Sequence, residues 1–116
     1  MTLEEIQELR KVLKNQGIRI ITSNSWGKHE WVAHMKYKDE YIKVIDCSYR
    51  DMTTIKYRIK FVKEEDSSYF SSDEWVYKSI KNCTAEEVLL SIKRLKIQIK
   101  EEKMVEKLKR IEKDFT

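Results

Sequence analysis

The sequence predicts an α+β fold, in which an antiparallel meander sheet of four or five strands is flanked by an N-terminal helix and a long C-terminal helix. Apolar residues recur at helical spacing near both ends of the chain and alternate with polar residues along its middle. The 116 residues match the size of one domain and include only two glycines and no proline. We therefore expect residues 1–116 to form a single domain whose helices cover one face of the sheet.

The first helix is bounded by a sequence signal at each end. Thr2 and Glu5 have the spacing of a capping box, and Gly17 suits the left-handed conformation that commonly follows a helix. Between them, four apolar residues fall on one stripe: Leu3, Ile6, Leu9 and Leu13.

Five segments read as strands: 18–23, 30–37, 41–49, 54–63 and 74–80. In the second segment four residues share one face: Trp31, Ala33, Met35 and Tyr37. In the fourth, a second apolar set alternates with basic residues: Ile55, Tyr57, Ile59 and Phe61. Trp75 and Tyr77 lie on one side of the last strand, and Asp39 and Glu40 are expected to form the tight turn after the second.

The C-terminal helix begins with a second capping box, formed by Thr84 and Glu87, and can run from about residue 84 to 114. At 1.5 Å per residue it would be about 45 Å long, which exceeds the width of a domain of this size. We therefore expect part of it to project. One apolar stripe suits packing on the sheet: Val88, Ile92, Leu95 and Ile99.

A second apolar stripe lies about 180° around the same helix. Its members are Ile97, Met104, Leu108, Ile111 and Phe115, and Leu90 joins it. Three interpretations are open. The stripe is covered within the monomer, by Leu9 and Leu13 or by a tail that folds back near residues 100–103; or it forms a homodimer; or it binds another protein.

A basic cluster is expected on the opposite face of the sheet. A turn centred on Asp39 and Glu40 pairs Tyr37 with Ile42, Met35 with Val44 and Lys36 with Lys43. The cluster then comprises Lys36, Tyr41, Lys43, Lys56, Arg58 and Lys60. Cations beside an aromatic ring on an open sheet are typical of single-strand nucleic-acid binding, although a solvated sheet face carries the same residues. Three residues expected on this face need cover and argue against binding: Val32, Ile45 and Cys47.

Segment 64–74 is rich in acidic residues and serine and contains the adjacent aromatics Tyr69 and Phe70. Two interpretations are open for this pair. The aromatic side chains form a docking motif for a basic partner, or they belong to an edge strand that buries Phe70.

The residue types that catalysis or metal binding requires do not form a recognisable motif in this sequence. His29 and His34 are expected on opposite faces, which disfavours a metal site, and Cys47 and Cys83 are expected to be buried small side chains. We expect no catalytic residue, no cofactor and no metal, and the protein is not expected to be an enzyme. A metal nuclease that uses scattered carboxylates, such as Asp46 and Asp51, stays open.

The N-terminus is acidic rather than signal-like and no apolar run reaches the length of a membrane span, so we expect a cytoplasmic protein without a membrane partner. The lysine- and isoleucine-rich, proline-free composition resembles that of small accessory proteins of phages and mobile elements. The leading interpretation is a non-enzymatic binding protein that occupies a partner surface, as an inhibitor or regulator of a host protein. The alternative is a nucleic-acid-binding module that uses the basic sheet face; the net charge of +4 permits it.

Overall fold

The computed structural model of the chain describes residues 1–22, 30–48, 54–62 and 74–114. The elements follow in the order α1 (Leu3–Asn15), β1 (Arg19–Ile21), β2 (Trp31–Tyr37), β3 (Glu40–Ser48), β4 (Thr54–Arg58), β5 (Trp75–Ser79) and α2 (Ala85–Asp114). A short 3-10 helix, Ile80–Asn82, connects β5 to α2. The five strands form one antiparallel sheet in sequence order, which confirms the predicted α+β fold with a meander sheet.

Both predicted capping boxes are present. The Thr2 hydroxyl accepts a 3.2 Å hydrogen bond from the Glu5 amide, and the Glu5 carboxylate accepts one from the Thr2 amide. Thr84 and Glu87 make the same reciprocal pair before α2. Each cap satisfies backbone N–H groups that have no partner within their helix, which is why these short signals fix the helix starts.

The hairpin between β2 and β3 turns one residue earlier than the sequence suggested. Lys38 and Asp39 have φ angles of 49° and 66°, and Tyr37 pairs with Glu40. The expected pairing of Tyr37 with Ile42 is therefore wrong. A two-residue turn with positive φ at both positions matches the twist of the flanking strands, and this match outweighs the cost of positive φ at lysine.

A β-bulge corrects a second expectation about the register. Ala33 pairs with Ile45 while His34 pairs with Lys43, so Val44 is an additional residue in β3. The bulge turns Ile45 and Cys47 toward the helices, where both side chains are fully buried. Alternation alone predicts these two residues on the opposite face, so they do not argue against a binding surface there. Val32, the third residue of that prediction, does lie on the outer face, where it pairs with Ile21 and Asp46.

The core lies between the sheet and the two helices. The helices contribute Ile6, Leu9, Leu13, Val88, Ile92 and Leu95. The sheet contributes the predicted face of β2 together with Val44, Ile45, Cys47, Ile55 and Tyr57. Because both helices pack on this inner face, the residues that alternate with it form a separate outer face.

The fourth strand is shorter than predicted, because β4 ends at Arg58. Ile59 is 36% exposed and is not a core residue, whereas Phe61 is buried and stacks on Tyr37 with ring centroids 4.3 Å apart. Gln98 of α2 holds this segment by bonding both backbone groups of Phe61, each at 2.8 Å. A tertiary contact with α2 therefore ends the strand where the alternation alone predicted its continuation.

Helix α2 is continuous over its 30 residues, so the break considered near residues 100–103 does not occur. Val88, Ile92 and Leu95 are buried, Ile99 is partly buried, and every residue of 103–114 is exposed. The longest dimension of the molecule is 57 Å and its radius of gyration is 16.3 Å, against about 13 Å for a compact chain of this length. The second half of α2 projects from the body of the protein.

Candidate binding surfaces

The exposed stripe of α2 consists of Leu90, Ile97, Met104, Leu108 and Ile111. Met104 and Leu108 expose 64% and 57% of their surface, and the other members of the stripe expose nearly half. Phe115, the fifth residue predicted for this surface, lies outside the described residues. Residues 90, 97, 104 and 111 are separated by seven positions, which is the repeat of a coiled-coil seam.

Helix α1 leaves the exposed stripe uncovered. Leu9 and Leu13, which the sequence offered as cover, are buried in the core and leave Ile97 45% exposed. The interpretation that the monomer covers its own second stripe is therefore wrong. A second copy of the chain and another protein are the two interpretations that stay open.

The apolar width of this stripe increases toward the end of the helix. Arg94 and Glu101 flank its first half, so that Ile97 has charged neighbours at the adjacent seam positions. In the second half, Leu108 lies beside both Met104 and Val105, and Val105 and Leu108 are 50% and 57% exposed. The widest apolar area of the projecting helix is therefore its last three turns.

The outer face of the sheet carries most of the predicted basic cluster. Lys36 pairs with Tyr41 across β2 and β3, Lys43 pairs with His34, and Lys56 and Arg58 lie on the same face of β4. Lys60 lies beyond the end of β4 and does not belong to the sheet. Five of the six predicted residues therefore share one surface.

Arg58 is engaged within the protein. Its guanidinium group donates hydrogen bonds to the Lys43 carbonyl oxygen at 2.9 Å and to Glu74 at 2.6 Å, and its side chain is only 12% exposed. Burial lowers the pKa of Arg58, and the Glu74 carboxylate opposes that shift. Arg58 therefore braces the sheet and contributes little free charge to a ligand.

Three residues that the sequence-based cluster omitted also lie on the outer face. Tyr77 pairs with Lys56 and Trp75 with Arg58 across β4 and β5, and Arg19 of β1 pairs with His34. The alternation of residues 74–80 placed Trp75 and Tyr77 on a common side. Which side faces the helices depends on the long-range pairing with β4, and a single sequence does not show it.

The aromatic rings of this face lie beside cations. The Arg19 guanidinium carbon is 5.0 Å from the centroid of the Tyr41 ring, and the Lys56 ammonium group is 4.9 Å from Trp75 and 5.8 Å from Tyr77. Such pairs hold rings and cations together at a surface. Burial, Lys43 and Arg19 lower the pKa of His34, which favours the neutral form of this imidazole on the face.

Histidine, cysteine and acidic side chains are the residues that a metal site or covalent chemistry would use. No group of three or more histidine, cysteine or acidic side chains suited to a metal occurs among residues 1–22, 30–48, 54–62 and 74–114. Cys47 and Cys83 are buried and unbridged, as predicted, and burial raises the pKa of their thiols to about 12 and about 11. His29, Asp51, Tyr69 and Phe70 lie outside the described residues.

Comparisons of the chain with protein-family models, with curated proteins and with solved structures find no match. Within the described part of the chain, none of the helices has both the length and the apolar character needed to cross a membrane. The fold and its surfaces define an α+β protein with a five-stranded antiparallel sheet, helices on one face and a projecting C-terminal helix.

Proposed function

We propose that this is a non-enzymatic binding protein that acts by docking the exposed stripe of α2 onto an apolar surface of a protein partner. The observation that carries the proposal is the exposure of Met104 and Leu108, at 64% and 57%, on a helix that projects from the body. A contiguous apolar area of this kind on a monomer marks an interaction site. The seven-residue spacing suits a partner that presents a helix.

A second copy of the chain satisfies this surface best when the two helices run antiparallel. In a parallel pair, Arg94 would lie against its own equivalent and Glu101 against its own, which places like charges in the seam. An antiparallel pair centred near residue 106 sets Met104 against Leu108 of the second copy. It also leaves the two globular bodies at opposite ends of the pair.

A protein that docks through one helix can regulate a larger protein by covering part of that protein's surface. We infer an inhibitor or regulator of a host protein, which the composition shared with small accessory proteins of phages and mobile elements supports. A cytoplasmic location is part of the same proposal. Two buried cysteines that are free thiols support it, because secreted proteins of this size commonly pair their cysteines.

The test is the double substitution Leu108→Glu with Ile111→Glu, compared with Lys103→Glu with Arg110→Glu, which adds two carboxylates on the opposite side of the same helix. Light scattering after size exclusion measures the oligomeric state of each, and circular dichroism checks that α2 stays helical. We expect the stripe variant alone to lose self-association or the capture of a defined partner. If both variants match the wild type in both assays, the stripe is not a docking surface.

A further inference from the structure

We propose that the outer face of the sheet binds single-stranded nucleic acid, a function separate from docking through α2. The surface comprises Arg19, Lys36, Tyr41, Lys56, Trp75 and Tyr77, called here the ring-and-cation face. Both helices pack on the other side of the sheet, so neither helix occupies this surface. The residues come from all five strands.

Two rings of this face are available to a ligand. Tyr41 and Tyr77 expose 54% and 63% of their surface, which is high for aromatic residues in a sheet. Tyr41 lies on β3 and Tyr77 on β5, and the strand spacing and rise place them about 16 Å apart. Exposed rings on a sheet stack on unpaired bases, and each such contact tolerates any base because every base has a π face.

Trp75 is fixed in place to support this arrangement. Its ring lies 4.3 Å from the Arg58 guanidinium carbon, and Arg58 is itself anchored to Glu74 at 2.6 Å. Lys56 contacts the same ring from its own position on β4. The indole is therefore held on the sheet surface beside Tyr77, where it extends the aromatic platform.

The charge of the face complements a phosphate backbone. Among the described residues, Arg19, Lys36 and Lys56 form no ion pair, so their charges are available to a ligand. Lys43 lies 3.5 Å from Asp46, and that pair is close to neutral. In the described part of the chain, Glu30 and Glu74 are the other carboxylates near this face, and Glu74 is matched by Arg58. The charge balance of these described side chains is positive and follows the rings across the sheet.

The combination favours an unpaired nucleic-acid strand over two other polyanions. A duplex keeps its bases stacked inside, so its phosphates could use the cations but its bases could not reach Tyr41 or Tyr77. An acidic protein segment would likewise use the charges and gain little from flat, hydrated rings. Only an open strand uses both features at once, with phosphates on Arg19, Lys36 and Lys56 and bases on the rings.

The experiment measures anisotropy of labelled single strands of about 12 nucleotides, RNA and DNA, with full-length protein at about 50 mM and about 200 mM salt. Tyr41→Thr with Tyr77→Thr removes the rings but keeps strand propensity. Tyr41→Phe with Tyr77→Phe keeps the rings and controls for the loss of hydroxyls. Lys36→Gln with Lys56→Gln removes two cations from the face, and Lys11→Gln with Lys93→Gln removes two from the exposed surfaces of the helices.

We expect single strands to bind more tightly than duplexes, with at least about tenfold loss for the threonine variant and none for the phenylalanine variant. The salt dependence should decrease for Lys36→Gln with Lys56→Gln and not for the helix control. Absence of binding at low salt, unchanged binding by the threonine variant, preference for duplex, or equal competition by polyglutamate would each overturn the proposal. Leu108→Glu with Ile111→Glu should bind normally, which separates this surface from the exposed stripe.

Discussion

The hydroxyl group of Tyr57 donates a 2.6 Å hydrogen bond to the Glu87 carboxylate and so links β4 to the first turn of α2. The same carboxylate oxygen accepts a hydrogen bond from the Lys78 ammonium group, also at 2.6 Å. The other oxygen of the Glu87 carboxylate accepts a 2.7 Å hydrogen bond from the Thr84 amide. One side chain therefore joins β4, β5 and the start of the long helix.

The stability of the protein should depend on the charge of Glu87. Burial would raise the pKa of Glu87, but hydrogen bonds from Lys78, Tyr57 and the Thr84 amide outweigh it and hold the pKa at about 2. A carboxyl group whose folded pKa lies below its unfolded value stabilises the fold above the unfolded pKa, and that contribution disappears as the pH falls through the folded pKa. The window therefore runs from about pH 4.5 down to about pH 2.

We expect Glu87→Gln to lower the free energy of unfolding at pH 7 by about 1–2 kcal/mol, after allowance for solvent screening. Urea titrations between pH 2 and pH 7 measure this difference, which should shrink as the pH falls through the window. Glu86→Gln, at the adjacent exposed position, is the control and should differ little from the wild type. A constant deficit at every pH would contradict a role for the charge itself.

Gln98 should stabilise the segment after β4 through its side-chain amide. It accepts a hydrogen bond from the Phe61 amide and donates one to the Phe61 carbonyl, and Gln98→Leu leaves both groups without their partner. We expect a loss of about 2 kcal/mol in the free energy of unfolding, with faster hydrogen exchange at the Phe61 amide. Gln7→Leu, on the exposed surface of α1, should change stability by less than about 0.5 kcal/mol. An unchanged exchange rate at Phe61 would contradict the role given to Gln98.

The features that the sequence predicted correctly are those set by local chemistry. The two capping boxes depend on residues three positions apart, and the shared face of Trp31, Ala33, Met35 and Tyr37 depends on simple alternation. The predicted inner face of β2 is therefore confirmed, although the predicted register between β2 and β3 is wrong. Strand alternation is a property of one segment, whereas register is a property of two.

The features that sequence reasoning missed depend on contacts between distant segments. The bulge at Val44 reverses the alternation of β3, and nothing in the local pattern distinguishes Val44 from its neighbours. The sequence predicts Arg58 as a free cation, whereas the fold places Glu74 against it. Conversely, Trp75 and Tyr77 joined the basic face only through pairing of β5 with β4. The sequence therefore predicted the two kinds of candidate surface, an apolar helix stripe and a basic sheet face, but not all of the residues that form them.

Gly17 should be required for its backbone conformation rather than for space. Its φ is 81°, and a Cβ atom added there would meet nothing within 4 Å. Because the site is open, the cost of Gly17→Ala reports the left-handed backbone alone, and we expect about 1 kcal/mol of destabilisation in a urea titration. Gln16→Ala, one residue earlier, has a negative φ and should cost less. A destabilisation of several kcal/mol would indicate that α1 and β1 meet differently from the structure described.

The turn between β2 and β3 should accept a stabilising substitution. Lys38 and Asp39 both have positive φ, which costs free energy for lysine and less for aspartate. Lys38→Asn with Asp39→Gly supplies the dipeptide preferred for this turn, and we expect the free energy of unfolding to rise by about 0.5–1 kcal/mol. Lys38→Asn alone should give part of the gain. The double variant Asp39→Asn with Glu40→Gly moves the Asn-Gly dipeptide one residue along, to the turn position that the sequence predicts. We expect this variant to destabilise the protein. If that shifted variant were instead the more stable, the pairing of Tyr37 with Glu40 would be wrong.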